Sequence, residues 1–328
     1  MALLDVDGLT VSFATDAGVV RAVSDVSFSM RSGETLAVVG ESGSGKSVTA
    51  LALMGLLGST ATIAGSARFE GEELVGMGER HLRAIRGKRI GMIFQDPMTA
   101  LNPVFTVGAQ IAEIVRVHSS ADKKAAWERA TDLLNLVGVP EPARRVRQYP
   151  HEFSGGMRQR AMIAMAIAND PALLIADEPT TALDVTVQAQ VLEVIAKVQD
   201  VTKSAVMLIT HDLGVVAGFA DRVQVMYAGQ IVEQGNLDDI FYGTRNPYTQ
   251  ALLRSIPSAI GTPGVALQTI GGSPPSLVNL PTGCYFHPRC TMAVASCATE
   301  RQVLIDTGHG HLSRCHRHGD VTGGVTGA

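Results

Sequence analysis

The sequence predicts an α/β fold built on a parallel β-sheet, with a small loop-rich region at its C-terminal end. Short apolar segments such as residues 172–176 and 205–209 alternate with segments of helical periodicity, a pattern typical of strands buried on both faces. A glycine-rich loop at residues 40–47 joins one such strand to a helix. The chain has 328 residues and is 46% hydrophobic, which is enough for one large domain and an appendage.

The predicted elements follow the apolar residues along the chain. Continuous or alternating apolar runs predict strands at residues 3–14, 22–30, 35–40, 89–94, 172–176 and 205–209. Apolar residues at helical spacing predict helices at residues 47–57, within 107–137, at 156–168 and at 187–197. A short helix starts at Asn246, and a linker rich in proline and glycine at residues 255–286 leads to a cysteine-containing end.

Charge and hydropathy exclude several classes of protein. The formal net charge is −4, so the sequence does not indicate a partner that is a nucleic acid. The first residues include Asp5 and no basic stretch, unlike a signal peptide. The longest uncharged stretch, residues 255–286, is broken by prolines and does not resemble a membrane span. We therefore expect a cytoplasmic chain that reaches a membrane only by binding other proteins.

The first motif that carries chemistry is Gly40-x4-Gly45-Lys46-Ser47, between a strand and a helix. Its glycines let backbone N–H groups surround a phosphate chain, and the N-terminus of the helix adds positive potential. Lys46 is expected to reach the β- and γ-phosphates, and the Ser47 hydroxyl to bind Mg²⁺. The alternative, a glycine-rich turn with a stray lysine, does not account for this context.

The second motif is Asp177-Glu178, which ends an apolar strand. The carboxyl edge of a parallel sheet is where ligands bind, so Asp177 is expected to hold Mg²⁺ through water. Glu178 is expected to orient or deprotonate the attacking water. In isolation the pair could instead be an acidic cluster at a helix N-terminus.

The third motif, Ser154-Gly155-Gly156, opens a helix with a hydroxyl and exposed backbone amides, which predicts a second anion site. A head-to-tail dimer would let this turn complete the phosphate site of a partner chain. The alternative is a plain helix N-cap.

Together these motifs resemble the ATP-binding cassette family over about residues 3–255. GESGSGKS resembles its Walker A motif, LLIADE its Walker B motif, and FSGGM its LSGGQ signature, with Phe153 and Met157 differing. The resemblance implies a phosphate-loop nucleotide-binding domain at residues 1–255. That domain would have a parallel core sheet, an antiparallel β subdomain and a helical subdomain at about 100–165. An extension would follow at 256–328.

The resemblance also implies roles for single residues. Gln95 matches the Q-loop, Ala182–Asp184 the D-loop and His211 the switch histidine, while Phe13 matches the aromatic that stacks on adenine or is a core phenylalanine. The implied ATP-binding residues are Phe13, Gly40, Ser42, Gly43, Gly45, Lys46, Ser47, Val48, Gln95, Asp177 and His211. The implied Mg²⁺ ligands are Ser47, Gln95 and Asp177, and the implied catalytic residues are Lys46, Gln95, Glu178 and His211.

Four further segments resemble the ATPase subunits of dipeptide and oligopeptide importers: residues 94–103, 246–253, 271–276 and 283–290. This resemblance implies ATP-driven import of short peptides, with nickel complexes or heme as alternative solutes. It implies two permease subunits, a second, paralogous ATPase and an extracytoplasmic solute-binding protein at the cytoplasmic face of the cell membrane. A soluble ATPase acting in repair or regulation, and a catalytically quiet scaffold, remain alternatives.

All four cysteines, Cys284, Cys290, Cys297 and Cys315, lie in the last part of the chain. Four thiolates suit a tetrahedral or cubane site, and zinc sites favour a CxxC pair that is absent here. The resemblance implies that they hold a [4Fe–4S] cluster. Zinc, with His287, His316 or His318 nearby, and free or disulfide-linked cysteines remain alternatives.

Overall fold

The computed structural model describes residues 2–181, 183–256 and 269–321. Its strands are β1 (Leu4–Thr15), β2 (Gly18–Met30), β3 (Thr35–Val39), β4 (Ala61–Phe69), β5 (Glu72–Glu73), β6 (Ile90–Ile93), β7 (Leu173–Asp177), β8 (Ala205–Thr210), β9 (Arg222–Tyr227), β10 (Gln230–Asn236), β11 (Ile305–Asp306) and β12 (Leu312–Ser313). Its helices are α1 (Lys46–Leu53), α2 (Glu79–Ile85), α3 (Pro97–Ala100), α4 (Val107–His118), α5 (Lys123–Leu136), α6 (Pro142–Arg145), α7 (Gly155–Ala166), α8 (Val185–Thr202), α9 (Leu213–Val216), α10 (Leu237–Phe241), α11 (Pro247–Arg254) and α12 (Ala295–Thr299).

The chain forms two compact units. Among the described residues, the first unit contains 30–34, 77–181 and 183–209. The second contains 3–29, 35–76, 210–256 and 269–321. The C-terminal region, residues 269–321, therefore belongs to the same unit as β3 and α1.

The first unit contains three parallel strands in the order β8, β7, β6. Every residue of β6 and β7 is buried, which explains their apolar sequences and confirms the predicted parallel sheet. Helices α4 and α5 pack on each other and on α7. The side chains of Thr106, Asp122 and Ser154 cap the N-termini of these three helices.

The second unit contains two groups of strands. In the first, β4 pairs antiparallel with both β1 and β5, and β2 lies next to β1, which confirms the predicted antiparallel component. In the other, β3 pairs parallel with β9, and β9 pairs antiparallel with β10. The short C-terminal strands β12 and β11 extend this group from β10, so the loop-rich end of the chain is built onto a strand.

Aromatic side chains from the C-terminal region enter the core of the second unit. Tyr285 and Phe286 are buried in one cluster with Tyr227 of β9 and Tyr248 of α11. Burial of large aromatic groups is worth a few kcal/mol each, so this cluster stabilises the attachment of the C-terminal region.

Some predicted boundaries were wrong. The helix predicted at 47–57 ends at Leu53, because the N–H of Leu56 bonds back to the Leu51 carbonyl and closes the last turn. Helix α8 is longer than predicted and ends where Lys203 adopts a left-handed conformation. The helix expected from Asn246 is α11, with Asn246 as its N-cap.

Residues 257–268 of the expected linker lie outside the described residues. Within the described part of the chain, no helix is both long and apolar enough to cross a membrane.

Candidate functional site

The glycine-rich loop between β3 and α1 requires glycine at its two ends. Gly40 has a φ of 153°, and a Cβ atom there would lie 2.2 Å from the Met226 carbonyl oxygen. Gly45 has a φ of 101°, and a Cβ atom there would lie 2.5 Å from the Ala22 carbonyl oxygen. The loop therefore packs directly against neighbouring backbone, which only glycine allows.

Lys46 is the first residue of α1 and is 4% exposed. Its Nζ donates to the carbonyl oxygens of Gly40, at 2.7 Å, and Glu41, at 3.0 Å. Ser47 follows as the second helical residue and Val48 as the third, while Ser42 and Gly43 form the exposed tip of the loop. The ammonium group and the N-terminus of α1 thus lie on the same loop, as binding of a phosphate chain requires.

The acidic pair lies at the carboxyl end of β7. Asp177 is the last residue of the strand and is buried, and Glu178 follows it with a φ of 47°. A left-handed conformation is uncommon for glutamate and often marks a functional position. The N–H of Glu178 donates to the Ile209 carbonyl at 2.9 Å, which fixes this conformation against β8.

The structure brings Gln95 to Glu178. Gln95 lies just beyond β6, the parallel neighbour of β7, and its Nε2 donates to Glu178 Oε2 at 3.1 Å. The Thr181 hydroxyl donates to the same oxygen at 2.7 Å. Sequence reasoning missed Thr181, although its place three residues after Glu178 in a turn was a usable signal. These contacts orient a carboxylate that could act as a base.

The serine–glycine turn lies at the start of α7. Ser154 caps the helix, with its Oγ accepting from the Met157 N–H at 3.3 Å, and Gly155 and Gly156 are the first helical residues. Ser154 and Gly155 are exposed, so the N-cap is also accessible to another chain. The geometry of this turn is compatible with both interpretations, a helix N-cap and an anion-binding site.

The remaining predicted residues lie as follows. His211 comes directly after β8 and is exposed, and Phe13 lies on β1 opposite Ala61, half-buried. Ala182 lies outside the described residues, and Asp184 is the N-cap of α8. The first unit therefore carries Gln95, Ser154, Gly155, Gly156, Asp177 and Glu178, and the second carries Phe13, the phosphate loop and His211.

The four cysteines Cys284, Cys290, Cys297 and Cys315 line a single cavity of about 570 Å³ in the second unit. Burial raises the pKa of Cys284, of Cys290 and of Cys315, the last to about 11. His287 and His316 line the same cavity. Across residues 2–181, 183–256 and 269–321, no three or more His, Cys, Asp or Glu side chains form a group able to hold one metal ion. The thiols thus surround a common space without converging on one point.

Comparison with known families gives two matches. Residues 23–181 match the model of the ABC transporter family, and residues 232–297 match that of the oligopeptide/dipeptide transporter C-terminal region. Together these matched segments contain the phosphate loop, the serine–glycine turn, the acidic pair and three of the cysteines.

Several known sequences are similar to this chain. An oligopeptide transport ATP-binding protein, OppD, of Haemophilus influenzae is 50% identical, over 95% of this chain and 96% of that protein. A putative peptide import ATP-binding protein of Brucella abortus is 51% identical, over 95% and 94%. The OppD protein of Mycobacterium bovis is 52% identical over 98% of this chain, which spans about half (53%) of that longer relative.

The fold is also similar to that of a solved dimeric ATP-binding cassette in a post-hydrolysis state, bound to ADP and phosphate. The TM-score is 0.64 at 25% identity, over 71% of this chain and 98% of that one.

Proposed function

The chain belongs to the ABC transporter family, and from that premise we propose that it is the ATP-binding and ATP-hydrolysing subunit of an importer for dipeptides or oligopeptides. The observation that carries the proposal is the phosphate loop closed around Lys46, in a chain whose residues 232–297 match the C-terminal region of oligopeptide/dipeptide transporters. The division into a nucleotide-binding domain at 1–255 and an extension at 256–328 is part of this proposal.

The nucleotide would be bound by the loop and by the residues that flank it. The proposed ATP contacts are Phe13, Gly40, Ser42, Gly43, Gly45, Lys46, Ser47, Val48, Gln95, Asp177 and His211. Ser47, Gln95 and Asp177 would hold Mg²⁺, which offsets the negative charge of the phosphates. Glu178, oriented by Gln95 and Thr181, would accept the proton of the attacking water, and His211 would contact the γ-phosphate.

A second ATPase chain would complete the site. We propose that Ser154, Gly155 and Gly156 contact the nucleotide of the partner in a head-to-tail dimer. The exposure of Ser154 and Gly155 supports this role, because it leaves the turn accessible to a partner chain. We propose that this second ATPase is a paralogue rather than a second copy of this chain.

The permease would bind next to Gln95. Four apolar side chains near this residue, Phe94, Met98, Val104 and Phe105, are exposed in the first unit. Exposed apolar groups this close in sequence are typical of a protein interface. We propose that two permease subunits bind here, at the cytoplasmic face of the membrane, and that an extracytoplasmic binding protein delivers the peptide.

The four cysteines are proposed to hold a [4Fe–4S] cluster. All four thiols line one cavity, and thiolate is the ligand that such clusters use. A single zinc ion is the alternative, although the CxxC pair that zinc sites favour is absent from the sequence. When bound, the cluster would cross-link the C-terminal region and so have a structural role.

Purification of the tagged chain from native membranes tests the proposal. Two permease chains, a second ATPase and a peptide-binding protein should co-purify, and the complex should hydrolyse ATP faster when the binding protein carries peptide. A membrane-free complex would instead favour a soluble repair or regulatory ATPase. An assembled complex without ATPase activity would favour a scaffold.

A further inference from the structure

The backbone of Glu41 makes three hydrogen bonds within and next to the phosphate loop. Its carbonyl oxygen accepts from the Ser44 N–H at 3.2 Å and from Lys46 Nζ at 3.0 Å. Its own N–H donates to the Tyr248 hydroxyl at 3.0 Å. The Glu41 carbonyl, together with that of Gly40, therefore helps to position the Lys46 ammonium group.

The carboxylate of Glu41 is held by Arg289 of the C-terminal region. Nη1 of Arg289 donates to Oε2 at 2.7 Å and Nη2 donates to Oε1 at 2.9 Å, a bidentate pair. The side chain of Arg289 is 5% exposed. Bidentate, charge-assisted hydrogen bonds are strong and directional, and a largely buried pair is screened less by salt than an exposed one.

Arg289 is itself held rigidly. Its Nε donates to the Gly271 carbonyl at 2.9 Å, and its Nη1 also donates to the Tyr227 hydroxyl at 3.2 Å. The guanidinium carbon lies 5.8 Å from the Tyr227 ring centre and 5.9 Å from that of Phe286, within cation–π range. These contacts thus fix the guanidinium group in place.

Arg289 also neutralises a negative charge on the phosphate loop. An unpaired carboxylate at Glu41 would lie on the loop that has to bind a polyanion, and would repel it. In the pair, the charge of Glu41 is balanced by a residue outside the loop.

We propose that Arg289 is a positioning residue for nucleotide binding, which fixes and neutralises Glu41 and so links the affinity for ATP to the folded C-terminal region. The inference rests on the proposed function, because it assumes that the loop binds ATP. It assigns the C-terminal region a task in the nucleotide site in addition to any role of its cysteines.

Calorimetric titration of the full chain with Mg²⁺ and adenylyl-imidodiphosphate tests this assignment. Arg289→Gln should weaken binding by about tenfold or more, since one charge-assisted pair is lost and one carboxylate is left unpaired. Adding Glu41→Gln to Arg289→Gln should restore part of the affinity, because the repelling charge is gone. Arg289→Lys, which keeps the charge without the bidentate geometry, should fall in between.

Arg301→Gln is the matched control, because Arg301 also lies in the C-terminal region and packs on an aromatic ring, that of Tyr285. Unchanged affinity in Arg289→Gln would overturn the inference. So would equal losses in Arg289→Gln and Arg301→Gln, or no recovery in the double variant, because these results indicate only a loss of folding. Wild-type chain that fails to bind the nucleotide would refute the proposed function itself, and this inference with it.

Discussion

The side-chain amide of Gln95 donates a hydrogen bond of 3.1 Å to the carboxylate of Glu178. The two residues follow neighbouring parallel strands, β6 and β7, whose carboxyl ends lie at the same edge of a sheet. Glu178 also has a left-handed backbone conformation. A carboxylate held in this way is placed for proton transfer, which makes its replacement the most direct test of the chemistry.

Glu178→Gln should abolish turnover while keeping nucleotide affinity. The amide has the shape of the carboxylate but accepts no proton, so the rate of ATP hydrolysis by the assembled complex should fall by about 100-fold or more. ATP should then trap the closed dimer, which size-exclusion chromatography detects. Asp200→Asn, at an exposed acid of α8, serves as the control. Turnover equal to that of the wild type would refute the role of Glu178.

Ser154→Ala should separate hydrolysis from binding. If Ser154 contacts the nucleotide of the partner chain, the isolated chain should bind ATP as tightly as the wild type, whereas the complex should lose ATPase activity about tenfold. Calorimetry on the isolated chain and phosphate release by the complex give the two readouts. Thr106→Ala removes the N-cap of α4 and controls for the loss of a cap as such. Equal losses of activity in the two variants would indicate that Ser154 serves only as the N-cap of α7.

The proposed nucleotide residues stand out in the sequence because each lies within a few positions of a strand end or a helix start. The contact between Glu41 and Arg289 could not be predicted, because the two are 248 positions apart and no local spacing relates them. Thr181 is an intermediate case. The sequence indicates a turn after Glu178, but it does not indicate the hydrogen bond from the Thr181 hydroxyl to the Glu178 carboxylate.

The fold was predicted best where strands are completely buried and mostly apolar, as in β3 and β7. Strands β9 and β10 were missed because they bury polar residues. The buried side chains of Gln224 and Gln234 form a hydrogen bond of 2.7 Å with each other. Because this bond allows polar residues to be buried, the two strands lack the apolar pattern by which a buried strand is predicted. Glu233 is also buried within β10, and it interrupts the apolar pattern from which a strand would be predicted.

The cysteine cavity should contain iron and sulfide. Protein purified without oxygen should carry about four iron and four sulfide ions per chain, as a [4Fe–4S] cluster requires. Chemical iron and sulfide assays with metal analysis measure this directly. Cys315→Ser should lower both contents, and Ser273→Ala, an exposed change in the same region, should not. Zinc without iron or sulfide would contradict the cluster.

His311→Ala should destabilise the attachment of the C-terminal region to β10. The Glu233 side chain is fully buried, and its carboxylate accepts from the Thr244 hydroxyl and the Arg245 N–H and lies 2.8 Å from His311 Nε2. Removal of the imidazole leaves this buried carboxylate short of one partner, at a cost of about 1–3 kcal/mol.

Urea unfolding of the full chain, followed by fluorescence, measures the loss. His309→Asn is the matched control, because His309 is exposed and asparagine tolerates its left-handed conformation. A lower midpoint for His311→Ala alone shows that β12 is fixed to β10 through Glu233 as well as by its backbone ladder. Equal midpoints for the two variants would mean that the ladder and the aromatic core suffice.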